Sequence, residues 1–197
     1  LEYIMSTLKV NNIQAESGTT INVASGNKIT GSAGSIATPG QVIQIITGES
    51  GSGTASMFTF NGAARLGCIG AAITPKFTNS KILITGFVHG FINGGGSQCG
   101  LGLELVSHPS TTFNDGSSVA SATQLFGHQD TLFLNTGTQL MGNMPFQFEH
   151  SPGSIATIHY SVAISENATY AAGTSQVNWS NGTTGGRSKI MLTEIAQ

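Results

Sequence analysis

The sequence predicts an all-β sandwich of the jelly-roll type, preceded by an extended N-terminal β segment. Three observations predict it: short apolar segments with a period of two, glycine-rich turns between them, and the lack of any long window with helical spacing. Gly, Ser, Thr and Asn make up 85 of the 197 residues, and these residues favour turns over helices. Many short strands joined by such turns are typical of sandwiches and jelly rolls.

Charged residues are scarce. The chain has 7 Lys and Arg against 9 Asp and Glu, or 8% of its residues, where soluble domains usually carry about 25%. Disorder does not fit, because 39% of the residues are hydrophobic and the net charge is only −2. So weak a charge attracts neither a phosphate backbone nor an anionic membrane, and no apolar run is long enough to span a bilayer. We therefore expect a folded chain with no nucleic-acid partner and no membrane insertion.

Five segments carry the strand pattern, and the first of them follows a turn signal at Pro39 and Gly40. They are residues 41–47, 81–92, 101–106, 155–165 and 189–196. Polar, glycine-containing loops separate them, among them 93–97, 113–118 and 178–186. We assign residues 41–197 to one β-sandwich domain.

The segment 81–92 has apolar residues on both faces of a strand. Ile82, Ile84, Val88 and Ile92 share one face, and Leu83, Phe87 and Phe91 share the other. A strand with two apolar faces is typical of the centre of a sheet that is covered on both sides.

Residues 1–40 are predicted to form a separate segment for attachment and oligomerisation. Within it, residues 6–40 hold only short apolar sets divided by Gly, Ser and Asn, and they include no aromatic residue and no histidine. No set is large enough to close a core, so the strip must be buried against the main domain or against identical chains around a symmetry axis. We expect a homo-oligomer, with a trimer preferred, whose aromatic-rich domain 41–197 faces outward.

No motif for catalysis or cofactor binding stands out, so we predict no enzyme, no cofactor and no metal site. The histidines lack the i, i+4 spacing of a helical zinc site; they are His89, His108, His128, His150 and His159. His128 and Asp130 place an imidazole near a carboxylate, but no serine or cysteine motif accompanies them. With nine acids, a carboxylate pair for glycoside cleavage stays open, and a depolymerase acting on host surface polysaccharide is the alternative function.

Cys68 and Cys99 show no CxxC spacing. We interpret them as ordinary buried thiols, with a disulfide between them as the alternative.

Three polar loops are the candidates for contact with a receptor, which we expect to be a glycan or protein of a host cell surface. Their residues supply amide, hydroxyl and carboxylate groups and one indole ring: Asn93, Ser97, Asn114, Asp115, Asn178, Trp179 and Asn181. Such groups bind sugars through hydrogen bonds and ring stacking. For Trp179, a role in packing is the alternative.

Several segments resemble one family of virus proteins. Residues 5–14, MSTLKVNNIQ, resemble the opening of many tail-fibre and virion structural proteins of marine and cyanobacterial bacteriophages. Later segments are similar to the same family: PGQVIQ at 39–44, SKILI at 80–84, FEHSP at 148–152 and SKIMLTEIAQ at 188–197.

This resemblance implies a trimeric fibre, spike or appendage component located in the virion, with other virion proteins as partners. It also implies a C-terminal domain like the jelly roll of tumour necrosis factor, and it supplies no catalytic residues. The composition agrees with such a role, because a β-rich trimer buries sheet edges and apolar strips between its chains.

Overall fold

The computed structural model describes Ser25 and residues 38–50, 58–60, 65–93, 98–134, 139–166, 174–178 and 186–197, with only the backbone described at 58–60, 128–130, 134 and 174. Apart from Ser25, these residues belong to one compact unit, Ala37–Gln197. Most of the predicted segment 1–40 lies outside the described residues, and its role stays a prediction.

Strands dominate the described residues. They are β1 (Val42–Glu49), β2 (Phe58–Phe60), β3 (Leu66–Ile73), β4 (Lys81–Asn93), β5 (Cys99–His108), β6 (Thr123–Leu134), β7 (Gln139–His150), β8 (Ile158–Glu166), β9 (Thr174–Val177) and β10 (Lys189–Ile195). All five predicted strands are present, although β8 begins at Ile158 rather than at residue 155. The predictions omitted β2, β3, β6, β7 and β9.

The strands are joined as a jelly roll. The pairs β5–β6, β4–β7, β3–β8 and β1–β10 are all antiparallel and are nested inside one another along the chain. One long hairpin is therefore rolled into two sheets, as in jelly rolls generally. The four-stranded sheet has the order β3-β8-β5-β6, and the six-stranded sheet has the order β1-β10-β4-β9-β2 with β7 on the other edge of β4. The predicted fold class is confirmed.

The hydrophobic core lies between the two sheets. Both sheets contribute buried side chains to it, including Ile82, Ile84, Val88, Leu101, Leu103, Leu105, Val162, Ile164, Ile190 and Leu192. Each such side chain stabilises the fold by about 1.5–3 kcal/mol relative to leaving it exposed. The predicted inner face of β4 is confirmed, since Ile82, Ile84, Val88 and Ile92 are each 0% exposed.

The second predicted face of β4 is only partly covered. Phe91 is buried at 6% exposure, but Leu83 and Phe87 are half-buried. The prediction of a strand covered on both faces is therefore wrong for these two residues within a single chain.

Residues 109–122 fold over the outer face of the four-stranded sheet. Phe113 packs there with Val106, Val119 and Ala163 in a second small core. Phe113 can lie close to the backbone of β3 because residue 67 is glycine. A Cβ atom at Gly67 would lie only 2.4 Å from the Cβ of Phe113. The backbone NH of Phe113 also donates a hydrogen bond to Ser161 Oγ at 2.8 Å.

Both cysteines are free and buried, which confirms the prediction of ordinary thiols. The Cys68 thiol donates to the carbonyl of Val162 at 3.2 Å, and burial raises its pKa. Cys99 Sγ lies 3.2 Å from Ser175 Oγ.

A buried carboxylate ties the C-terminal strand to its neighbours. Glu194, 0% exposed, accepts hydrogen bonds from Ser80 Oγ at 2.7 Å, Gln44 Nε2 at 2.6 Å and the backbone NH groups of Lys76 and Phe77 at 2.6 and 3.3 Å. Burial by itself raises the pKa of Glu194, but these four hydrogen bonds outweigh it and hold the pKa below its ordinary value of 4.5. The charged form of Glu194 therefore stabilises the fold.

We expect Glu194→Ala to lower the free energy of unfolding at pH 7 by about 2–5 kcal/mol, because four donors lose their acceptor. The matched control Glu149→Ala removes a half-exposed ion pair and should cost about 1 kcal/mol or less. The measurement is urea unfolding followed by circular dichroism.

The same group predicts a pH dependence. The pKa of Glu194 is lower in the folded chain than in the unfolded chain. The stability that its charged form contributes is therefore fully present above the unfolded-state pKa, and it is lost as the pH falls through the folded-state pKa. Acid should thus destabilise the wild type more steeply than Glu194→Ala. Parallel loss of stability in both proteins between pH 7 and pH 3 would refute this role.

Candidate functional site

The predicted receptor-contact residues that the structure describes are distributed over different parts of the domain. Asn114 and Asp115 are exposed in the loop that covers the four-stranded sheet, whereas Asn93 is half-buried at the end of β4. Asp115 accepts hydrogen bonds from the Ser117 hydroxyl at 2.6 Å and the Ser117 backbone NH at 3.1 Å, which lower its pKa and fix a local turn.

Ser97, Trp179 and Asn181 lie outside the described residues, and their proposed contacts stay predictions.

Asn178 corrects the sequence-based prediction. It is 1% exposed, so within the single chain its side chain does not face a receptor. Its backbone adopts a left-handed φ of 56°, which asparagine tolerates better than most residues. Its NH donates to the carbonyl of His89 at 2.9 Å and its side-chain oxygen accepts from Ser188 Oγ. Asn178 therefore anchors the chain just beyond the end of β9.

The histidines with described side chains are held by different neighbours. Three of them form hydrogen bonds with other side chains: His89 with Asn143 at 2.9 Å, His150 with Tyr160 at 2.7 Å and His159 with Thr112 at 2.6 Å. The ring of His108 packs edge to face against that of Phe113. Burial lowers the pKa of His150. Within the described part of the chain, no three His, Cys, Asp or Glu residues lie close enough together to hold a metal ion. The side chains of His128 and Asp130 are outside that part.

Among the residues that the structure describes, no helix is long and apolar enough to cross a membrane.

The outer face of the six-stranded sheet carries apolar side chains, several of them exposed. Neighbouring residues along a strand point to opposite sides of the sheet, and residues paired across two strands point to the same side. The odd-numbered residues of β4 therefore share this outer face with their partners on β7 and β10, and with the β1 residues that pair with those of β10. Its apolar members run across four adjacent strands: Val42, Ile45, Leu83, Phe87, Phe91, Met141, Pro145, Met191 and Ile195. We call this set the assembly face.

The assembly face is exposed at both sides. Val42 and Ile45 on β1 are 50% and 55% exposed, and Met141 on β7, beyond β10 and β4, is 55% exposed. Leu83 and Met191, on the strands between them, are half-buried. Exposed apolar side chains therefore lie at both edges of this face, with half-buried apolar side chains between them.

The charges on the assembly face are paired within the chain. Lys81 Nζ lies 2.5 Å from Glu149 Oε1, and Lys189 Nζ lies 3.1 Å from Glu49 Oε1. Exposed pairs of this kind contribute about 0–1 kcal/mol to stability, so their main effect is to cancel charge locally.

Sequence reasoning found three of the nine residues of this surface. Leu83, Phe87 and Phe91 were recognised as a second apolar face, but β7 was not identified as a strand. The signal that was available is the alternation of Leu140, Met144, Phe146 and Phe148 with polar residues, interrupted by Pro145.

No protein-family model and no curated protein matches the chain. Among solved structures, it is similar to the Gt strain of infectious bursal disease virus, with 13% identity and a TM-score of 0.39 over 90% of this chain and 42% of that chain. It is also similar to the VP2 subviral particle of that virus, with 15% identity and a TM-score of 0.37 over 77% of this chain and 41% of the other. A marine algae virus of the order Picornavirales shows 10% identity and a TM-score of 0.22 over 100% of this chain and 90% of that chain.

The chain thus spans less than half the length of the infectious bursal disease virus chains, and its similarity to these viral proteins is distant.

The charge pairing on the assembly face predicts the effect of a charge reversal. Lys189→Glu places a second carboxylate beside Glu49 and gives the face a net negative charge, so self-association should weaken at least about 10-fold. Adding Glu49→Lys in the same chain should restore it. Sedimentation velocity over a concentration series measures both, and equal association of all three proteins would contradict the importance of this pairing.

Proposed function

We propose that this chain is a structural component of a bacteriophage virion, a subunit of a tail fibre, spike or other appendage that assembles as a homotrimer. The observation that carries the proposal is the assembly face, an exposed apolar surface whose charges are neutralised within the chain. The segments at 5–14, 39–44, 80–84 and 188–197, similar to virion structural proteins of marine and cyanobacterial phages, support the virion assignment.

The layout of the assembly face supports a closed ring of subunits. Its β1 side and its β7 side lie at opposite ends of the row β1-β10-β4-β7. Contact between the β1 side of one copy and the β7 side of the next is head-to-tail, and such contacts close into a ring when the rotation allows. A ring of three agrees with the trimer that the resemblance to virion proteins implies.

The proposal also divides the chain by role. Residues 1–40 attach the subunit to other virion proteins and contribute to oligomerisation. Within this segment, residues 6–40 contain none of the aromatic residues and histidines that supply most contact energy in recognition, which suits attachment better than ligand binding. The domain 41–197 faces outward and contacts the host receptor. Asn114 and Asp115, exposed on the loop over the four-stranded sheet, are the described residues best placed for that contact.

A pair of matched substitutions tests the assembly. Ile45 on the assembly face and Ile155 in the 151–157 connection are 55% and 57% exposed, so a new charge costs similar desolvation at either position in the isolated chain. We expect wild type and Ile155→Glu to sediment at three times the 20.2 kDa chain mass, and Ile45→Glu to dissociate to single folded chains. Circular dichroism confirms that each variant is folded.

A single-chain mass for the wild type, or a trimer for Ile45→Glu that is as stable as that of Ile155→Glu, would overturn the proposed use of this face.

A further inference from the structure

A polar cleft of about 220 Å³ lies on the outer face of the four-stranded sheet, beside the loop 109–122. It is lined by residues from three strands and from the start of β3: Arg65, Gly102, Glu104, Gln124, Gly127 and Ser165. It belongs to the sheet opposite the assembly face, so oligomerisation through that face leaves the cleft open to solvent.

The cleft exists because two strand positions are glycine. Gly127 lies directly opposite Glu104, and Gly102 lies directly opposite Ser165, so large side chains are missing from the floor. A Cβ at Gly127 would lie 2.4 Å from Gln124 Nε2 and would push this amide aside. Glycine inside a strand weakens it, and a close approach by a ligand is one of the reasons for which it occurs there.

The polar groups of the cleft are held in place. Arg65 donates through Nε and an Nη atom to the two carboxylate oxygens of Glu104, a bidentate pair that fixes both planes. The carboxylate side chain is 12% exposed and the Arg65 side chain 40% exposed. Val119 N donates to the Arg65 carbonyl at 3.1 Å, so the loop 109–122 also fixes the backbone at this point.

The chemistry of the cleft selects for an uncharged ligand. The charge of Arg65 is neutralised by Glu104. An anionic ligand in the cleft would be repelled by the Glu104 carboxylate, and a cationic ligand by the Arg65 guanidinium. The side chains supply only acceptors at Glu104, only donors at Arg65, and both at Gln124 and Ser165. A hydroxyl group donates and accepts at once, so a ring that carries several hydroxyls matches this set. The cleft is smaller than the roughly 300–1,000 Å³ pockets that hold drug-sized ligands, which limits it to about one sugar ring.

We propose that this cleft binds one neutral sugar ring, through the carboxylate of Glu104, the guanidinium of Arg65 and the amide of Gln124. The proposal deepens the receptor-binding part of the proposed function by naming the ligand class and the contact surface. It does not depend on the trimer.

Saturation-transfer NMR tests the proposal on the full chain. The probes are the methyl glycosides of glucose, galactose and mannose, N-acetylglucosamine, and glucuronate as a charged comparator. At least one neutral sugar should bind with a Kd on the order of 1 mM, as expected for a single small ligand, and glucuronate should bind at least about 10-fold more weakly.

Three variants locate the binding. Gly127→Ala narrows the cleft at the cost of moving only the flexible end of Gln124, and it should weaken binding at least 10-fold. Gln124→Ala, which alters an exposed side chain, should also weaken binding and serves if Gly127→Ala fails to fold. Ser121→Ala, an exposed residue at the end of the loop 109–122 that does not line the cleft, should bind as the wild type does.

The proposal is overturned if none of the neutral sugars binds, if glucuronate binds as tightly as they do, or if the Gly127→Ala and Gln124→Ala variants both bind with wild-type affinity. Sedimentation of the same samples reports the oligomeric state, so loss of sugar binding in an intact trimer separates a failure of this site from a failure of the assembly.

Discussion

Hydrogen bonding along both edges of β4 sets the position of almost everything else in the domain. One edge pairs with β7 from Ile82 to Asn93, and the other pairs first with β10 and then with β9. Because alternate residues of this strand point to opposite sides, the requirement that Ile82, Ile84 and Val88 fill the core turns Leu83 and Phe87 outward. The core and the assembly face are therefore two consequences of one strand register, and a shift by one residue would exchange them.

The two outer faces of the sandwich have different surroundings. On the four-stranded sheet, the loop 109–122 places Phe113 over glycine-containing β3 and leaves a polar cleft beside it. On the six-stranded sheet, apolar side chains remain exposed and the nearby charges are paired within the chain. With only 16 charged residues in 197, the chain presents mainly hydroxyl and amide groups to water. Six of the charged residues form the three ion pairs Arg65–Glu104, Lys81–Glu149 and Lys189–Glu49. This asymmetry supports a subunit that associates on one side and binds its ligand on the other.

The fold class could be predicted from the sequence because the longest strands have clear periodicity. Ile82, Ile84, Val88 and Ile92 alternate along the core side of β4, and Ile190 and Leu192 do so along β10; both strands were located nearly to the residue. β7 was missed because Pro145 interrupts its pattern. Among the described strands, β7 pairs with β4 alone, which makes it an edge strand, where a residue without an NH group is tolerated. β3 was missed because it is rich in glycine and alanine. The close packing of Phe113 explains Gly67, and that of Thr112 explains Gly70; both are distant in sequence from β3.

The candidate sites were harder to predict, since they depend on the register between strands. The pairing of Gly127 with Glu104 creates the cleft. The sequence around each of these residues does not indicate that the two are paired. Asn178 was expected in an exposed loop because asparagine favours turns. Its tolerance of left-handed φ in fact places it in a buried turn.

Hydroxyl-radical footprinting of methionine oxidation reports directly whether the assembly face is covered in the assembled protein. Met141 is 55% exposed in the single chain, and Met144, three residues away, is 1% exposed and serves as the internal reference. We expect Met141 to be oxidised several-fold more slowly in the wild type than in Ile45→Glu, and Met144 to be oxidised slowly in both proteins. Equal oxidation rates for Met141 in the two proteins would contradict it.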